Sequence, residues 1–317
     1  MTSIMGPVTY QLHTDRLACR AFASFMPGDS HQMMTWLRLG LIGLMVSAAG
    51  TAQAADPLTG KEYKVLLDPA KFQAQPVATA NTFLSELRTR LTAAGFDRTV
   101  DGSFAVDKVR TVRYYDSPGT CRLNNLGYSF RERVEGTDRE INLKFRSDSQ
   151  STAANTDVSG SDNDAETKLE ADITPPFKWV YSHSTTEPLS ATKNLNILDD
   201  VVDLFPPTKS LNLPKQEALT LVGNLSITER TYDGPESDLG QQDAEFTLTL
   251  WYANASSTVA SAEVSFKVED KDGDFTDKVD QRSKLMFDTI RGMTSWVSTN
   301  PTTKTQWVYQ YQPNFCS

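Results

Sequence analysis

The sequence predicts an α+β fold of about eight strands, nearly all antiparallel, with three or four helices. Three observations predict it. Apolar and charged residues alternate through run after run, the period of a strand with two unlike faces. The connections between these runs are mostly short and turn-rich, which favours antiparallel neighbours. Two longer stretches, near 76–94 and 275–297, switch to the apolar spacing of an amphipathic helix.

The N-terminus stands apart from this pattern. Residues 1–32 carry none and read as upstream sequence outside the fold. Residues 33–54 read as a signal peptide. They hold one positive charge (Arg38), the apolar core LGLIGLMV at 39–46, and the small-x-small site Ala52-Gln53-Ala54. The expectation is a periplasmic or secreted chain, one domain over 55–317, with its mature start near Ala55. The apolar run is too short to span a bilayer, so no stable membrane anchor is expected after cleavage. The formal net charge is −9, and residues 1–54 carry three Arg against two Asp. The acidic balance argues against nucleic acid as a partner. Cys121 and Cys316 are the two cysteines beyond the leader, and in an oxidising compartment they are expected to pair. His183 is the one histidine beyond the leader, and nothing around it predicts a catalytic triad or a zinc site.

Taken in order, residues 61–67 predict a first strand, ended by Asp68-Pro69. Pro76, at its favoured first-turn position, opens a helix that Gly95 stops. A second strand covers 109–115, and 121–127 is a short helical turn. Residues 128–134 (YSFRERV) and 140–146 (EINLKFR) predict a hairpin. If Glu135 pairs with Glu140, Arg131, Arg133, Lys144 and Arg146 share one face and Phe130, Val134, Ile141, Leu143 and Phe145 the other. Opposed like charges destabilise a sheet, so such a face is either solvated or holds an anion. Residues 147–166 are polar, with almost nothing to bury, and predict a mobile loop. A strand follows at 167–173 and a short strand or turn at 177–182. A helix over 195–204 is stopped by Pro206-Pro207. Three strands are predicted at 219–232, 245–252 and 260–269. Asp274 caps the last helix, and 307–311 adds a tail strand.

Alternation alone admits two arrangements. An open sheet would put the charged faces in water; a closed barrel would put them inside a wet tunnel with helices on its apolar outside. The order of charged strands resembles the CYTH family, the triphosphate tunnel metalloenzymes, from Lys61 to about Val297. The family's opening E-x-E-x-K strand falls on Gly60, Glu62 and Lys64, so the first carboxylate is missing. Its Y-x-D-T/S-P motif matches Tyr114, Asp116, Ser117 and Pro118. Its R-x-R strand matches Arg131 and Arg133, and its later basic strand Lys144 and Arg146. A central acidic strand matches Glu170 and Asp172, and a later Arg strand Arg230. The closing E-x-E falls on Glu263 and Ser265.

The resemblance implies an eight-stranded antiparallel β-barrel with helices outside. It implies a small anionic ligand, a phosphate chain, held by Lys64, Arg131, Arg133, Lys144, Arg146, Arg230 and Lys267. It also implies magnesium or manganese on Glu62, Glu170, Asp172 and Glu263, because these ions take hard oxygen ligands. Three readings follow: a metal-dependent triphosphate hydrolase, a non-catalytic anion binder, or a structural protein whose tunnel charges pair with one another. Two further features are weaker. The acidic loop Asp270-Lys-Asp-Gly-Asp274 lacks a full calcium loop and reads as a turn. Trp251 alternates onto the polar face, where its ring would narrow a tunnel.

Overall fold

The computed structural model describes residues 56–317. The expected leader and upstream segment lie outside the described residues. Nine strands form one closed barrel: β1 (Leu58–Leu67), β2 (Ala105–Asp116), β3 (Tyr128–Glu135), β4 (Asp138–Ser147), β5 (Glu166–Thr174), β6 (Lys178–Pro188), β7 (Thr220–Asp238), β8 (Asp243–Ala253) and β9 (Val259–Glu269). Around the barrel they run β1-β5-β6-β4-β3-β2-β7-β8-β9, and β9 pairs with β1 to close the ring. Every pairing is antiparallel except β1 with β5, through Glu62↔Asp172. Closure leaves no free sheet edge along the ring.

Among the described residues six α-helices accompany the barrel: α1 (Pro76–Ala93), α2 (Arg122–Asn125), α3 (Gln150–Ala154), α4 (Leu198–Leu204), α5 (Asp277–Arg291) and α6 (Lys304–Tyr311). The apolar stripes predicted for α1 and α5 lie on the outer strand faces. Phe83, Leu84 and Leu87 of α1 share a core with Met286, Phe287 and Ile290 of α5 and with Tyr63, Val65 and Phe266 of the barrel wall. The rings of Tyr63 and Phe266 stack at 4.7 Å. A second cluster joins Leu198, Val201 and Phe205 of the α4 region to Phe130, Ile141 and Leu143. Each such side chain, fully buried, contributes roughly 1.5–3 kcal/mol. The helices therefore stabilise the outside of the wall, and the interior holds the charged groups together with a small apolar cluster around Val112, Ile227 and Trp251.

Several elements depart from the sequence expectation. The described residues form nine strands, not eight. β6 runs to Pro188, well beyond the expected 177–182, because its inward positions are Ser182, Ser184 and Thr186, which do not alternate with charge. The β3–β4 turn has two residues, with Glu135 opposite Asp138. Gly136, at φ 59°, supplies the left-handed backbone such a turn needs. The register thus moves by two residues, which leaves every side chain on its expected face. Residues 147–166 are not a structureless loop. Ser149 caps α3, and Ala153 and Val158 are buried. Residues 307–311 belong to helix α6, where Thr303 and Gln306 form a capping box. Thr276, not Asp274, caps α5. The Asp270 carboxylate accepts the Asp272 and Asp274 backbone N–H groups, confirming a turn at that loop.

Candidate functional site

Directly opposed residues of neighbouring strands share a face, so the registers trace the inner wall around the ring. Glu62 lies opposite Asp172 and Lys267, and Lys64 opposite Ser265. Glu229 lies opposite Arg110 and Trp251. Arg131 lies opposite Tyr114 and Asn142, and Arg133 opposite Val112 and Glu140. Lys144 and Arg146 lie opposite Ser184 and Ser182, and Glu170 opposite Ser182 and Gly60. The structure therefore brings Glu62, Lys64, Arg131, Arg133, Lys144, Arg146, Glu170, Asp172, Glu263 and Lys267 together inside the barrel.

Arg230 is the exception. It stands opposite Leu250 and Val109, on the outer face, with its guanidinium 5.2 Å from the Tyr252 ring. Alternation gives the reason: Glu229, not Arg230, has the parity of the inward Trp251. The Glu229 carboxylate accepts from Arg110 Nε at 2.5 Å and from Trp251 Nε1 at 2.7 Å.

Charge is divided around the wall. The basic half lies on β2, β3 and β4 and the acidic half on β5, β1 and β9. Among the described residues Arg131 forms no ion pair with a carboxylate, and the Nε atoms of Arg131 and Arg133 are buried with no hydrogen-bond partner. Burial, together with Arg131 and Arg110, holds the Arg133 guanidinium below its usual range. An arginine keeps its proton, and Glu140, 3.3 Å from Arg133 Nη1, is its one carboxylate partner among the described residues. Tyr114 reports the same field. Burial would raise its pKa, yet Arg131, Arg146 and Lys304 bring it below the usual phenol value. Burial likewise pushes the Lys144 ammonium down to about 8 against the pull of Asp172 and Glu170.

The acidic half is already compensated. Lys64 Nζ lies 2.8 Å from Glu62 Oε2 and 2.6 Å from Asp172 Oδ1. Burial would lower its pKa, but Asp172, Glu62 and Glu263 raise it. Lys267 Nζ lies 2.7 Å from Glu170 Oε1, and Lys304 Nζ 2.8 Å from Glu263 Oε1. Among the described residues no group of three or more His, Cys, Asp or Glu is placed to hold a metal ion. As arranged, Glu62, Glu170, Asp172 and Glu263 do not fit a divalent ion, because each already has an ammonium as its partner.

Lys304 arrives from α6, which covers one end of the barrel. Its Nζ lies 5.2 Å from the centre of the Trp251 ring, and Trp307 packs on Trp251 at 5.9 Å. Val308 is buried with the inward residues Val112 and Ile227. Tyr309 Oη donates to Asp116 Oδ2 at 2.9 Å, and Asp116 also accepts the backbone N–H groups of Ser117, Leu123 and Asn124. The expected Cys121–Cys316 disulfide is formed and pins the segment after α6 beside α2. Sequence reasoning missed Arg110, Tyr114 as a wall residue, Glu229 and Lys304. Strand parity would have found the first three. No local signal marks Lys304, because its position comes from the docking of α6.

No family model matches the chain, and no curated protein does. Solved structures do. HpAC1 from Hippeastrum, described as an adenylyl cyclase candidate with a dominant triphosphatase activity, is 10% identical with a TM-score of 0.41, covering 80% of this chain and 96% of that one. An adenylate cyclase candidate from Bacillus halodurans is 13% identical with a TM-score of 0.35, covering 80% and 98%. PH1819 from Pyrococcus horikoshii is 11% identical with a TM-score of 0.32, covering 79% and 98%. The barrel itself, closed and charged within, has the architecture that the resemblance to the CYTH family implies.

Proposed function

We propose that this chain is an exported tunnel protein that binds a phosphate-rich anion against the basic half of its barrel. The observation that carries the reading is Arg131, an inward guanidinium with no carboxylate partner among the described residues and a buried Nε left without a hydrogen bond. Burial penalises its charge; the Tyr114 hydroxyl and the more distant Glu229 and Glu140 offset that cost without forming an ion pair. Phosphate oxygens would relieve that cost, since a guanidinium donates two parallel hydrogen bonds to them. Arg133, Arg146 and Lys144 supply the neighbouring positive charge. Export is supported by the leader pattern and by the disulfide, which persists in oxidising compartments. Hydrolysis is left out of the reading, because the carboxylates it would need are engaged by lysines.

A second reading is favoured by those same lysine pairs: the interior is a self-neutralised core and takes no ligand. One experiment separates the two. The melting temperature is recorded with and without tripolyphosphate, for wild type and for Arg131→Met. Anion binding predicts a rise for wild type, equivalent to about 2.7 kcal/mol at one hundred times Kd. In Arg131→Met the rise should shrink by the equivalent of at least about tenfold in affinity. No shift in wild type, together with a lower melting point for Arg131→Met, would leave the self-neutralised core as the answer.

A further inference from the structure

The three lysine pairs of the acidic half differ in origin. Lys64 comes from the same strand as Glu62 and reaches across to Asp172 on β5. Lys267 reaches Glu170 from β9. Lys304 reaches Glu263 from a helix outside the barrel. Three separate elements thus deliver one ammonium each to one acidic wall.

A divalent ion entering this wall would have to displace them. Magnesium takes oxygen ligands at about 2.0–2.1 Å and demands near-octahedral geometry. A tethered ammonium competes from a high effective concentration and has no translational freedom left to lose. Lys144 adds a fourth cation, 3.8 Å from Glu170, so the four carboxylates face four ammonium groups.

Gly60 belongs to the same arrangement. A Cβ built there would lie 3.1 Å from Lys267 Cε and 3.4 Å from the Glu170 side chain. A carboxylate-bearing side chain at 60 would press on the Lys267–Glu170 pair. The small residue at 60 and the resident ammonium at 267 are therefore two sides of one spatial exchange.

We infer that the barrel is a metal-independent anion site in which Lys64, Lys267 and Lys304 are tethered cations that engage the carboxylates a divalent ion would need. The anion part rests on the function proposed above; the metal part stands on the lysine geometry alone. Two consequences follow. Divalent ions neither stabilise the protein nor assist the anion. Removing the central lysine should expose Glu62 and Asp172 and create an affinity for metal that the wild type lacks.

The test uses the full processed chain with its disulfide intact. Bound Mn²⁺ is measured by the loss of the free-ion EPR signal, and melting temperature is recorded in Mn²⁺ alone. The tripolyphosphate shift is then compared as purified and after EDTA treatment. The inference expects no Mn²⁺ binding at millimolar metal and the same tripolyphosphate shift before and after EDTA. It expects Lys64→Met, and separately Lys304→Met, to bind Mn²⁺ at least tenfold more tightly than wild type. Stabilisation of wild type by Mn²⁺, or an anion shift that EDTA abolishes, would overturn it. So would a folded Lys64→Met that takes up no more Mn²⁺ than wild type. If that variant does not fold, the wild-type Mn²⁺ measurement decides. A wild type silent to both Mn²⁺ and tripolyphosphate removes the anion reading and leaves the tethered lysines standing.

Discussion

Lys144 has conflicting neighbours, and its titration follows from them. Burial disfavours its charge more than Asp172 and Glu170 favour it, so its pKa falls from 10.5 to about 8. A lysine lowered in the folded state binds its proton less well there than in the unfolded chain. Between about pH 8 and 10.5 the unfolded state holds more protons, so this group's contribution to stability rises with pH in that window. Anion binding should move the other way, because the basic half loses a charge as Lys144 deprotonates. The expected outcome is a tripolyphosphate affinity that falls between pH 7 and 9 in wild type and much less in Lys144→Met, measured by calorimetry. At this scale the sequence was informative where parity is unambiguous. Arg131, Arg133, Lys144 and Arg146 share the face that alternation assigned them. Arg230 did not follow, because its position was taken from the family pattern while its neighbour Glu229 held the inward parity.

Among the elements, α6 is held by several contacts that its own sequence does not announce. It has Trp307 against Trp251, Tyr309 on Asp116, and the disulfide just beyond. The disulfide closes a loop between residues 195 apart in sequence, and a cross-link of that span contributes about 3–5 kcal/mol through the unfolded state. Replacing both cysteines by serine should lower stability by that amount in urea. It should also change the tryptophan emission of the Trp251–Trp307 pair if α6 loosens. Equal stability and an unchanged spectrum would mean that packing alone holds the cap. Long, strictly alternating strands such as β3, β4 and β9 were legible, and so were the apolar stripes of α1 and α5. β6 and α6 were not. β6 faces inward through Ser and Thr, which read as loop, and α6 carries aromatics at a spacing that also suits a strand.

For the molecule as a whole, the sequence conveyed that each strand has a charged face but not that the sheet closes. Closure depends on the β1–β9 and β1–β5 pairings, which join segments far apart in the chain. It places several carboxylates in a positive field. Burial raises the pKa values of Glu229, Asp172 and Glu170, but the cations around them more than reverse this and hold all three below their ordinary range. A depressed carboxylate contributes stability that is fully present above its unfolded pKa and is lost as pH falls through the folded one. Urea midpoints should therefore hold steady from pH 7 to about 5 and drop steeply below about 4.5. A midpoint that stays level down to pH 3 would mean these carboxylates are not paired in the folded protein.

The cap over one mouth limits how any long ligand is taken up. On the anion reading proposed above, a polyanion would meet α6 at that end, where Trp307 packs on Trp251 and Lys304 holds Glu263, and would enter by its tip from the far side. Lengthening such a chain would then add little to its grip, since every further unit hangs outside the wall.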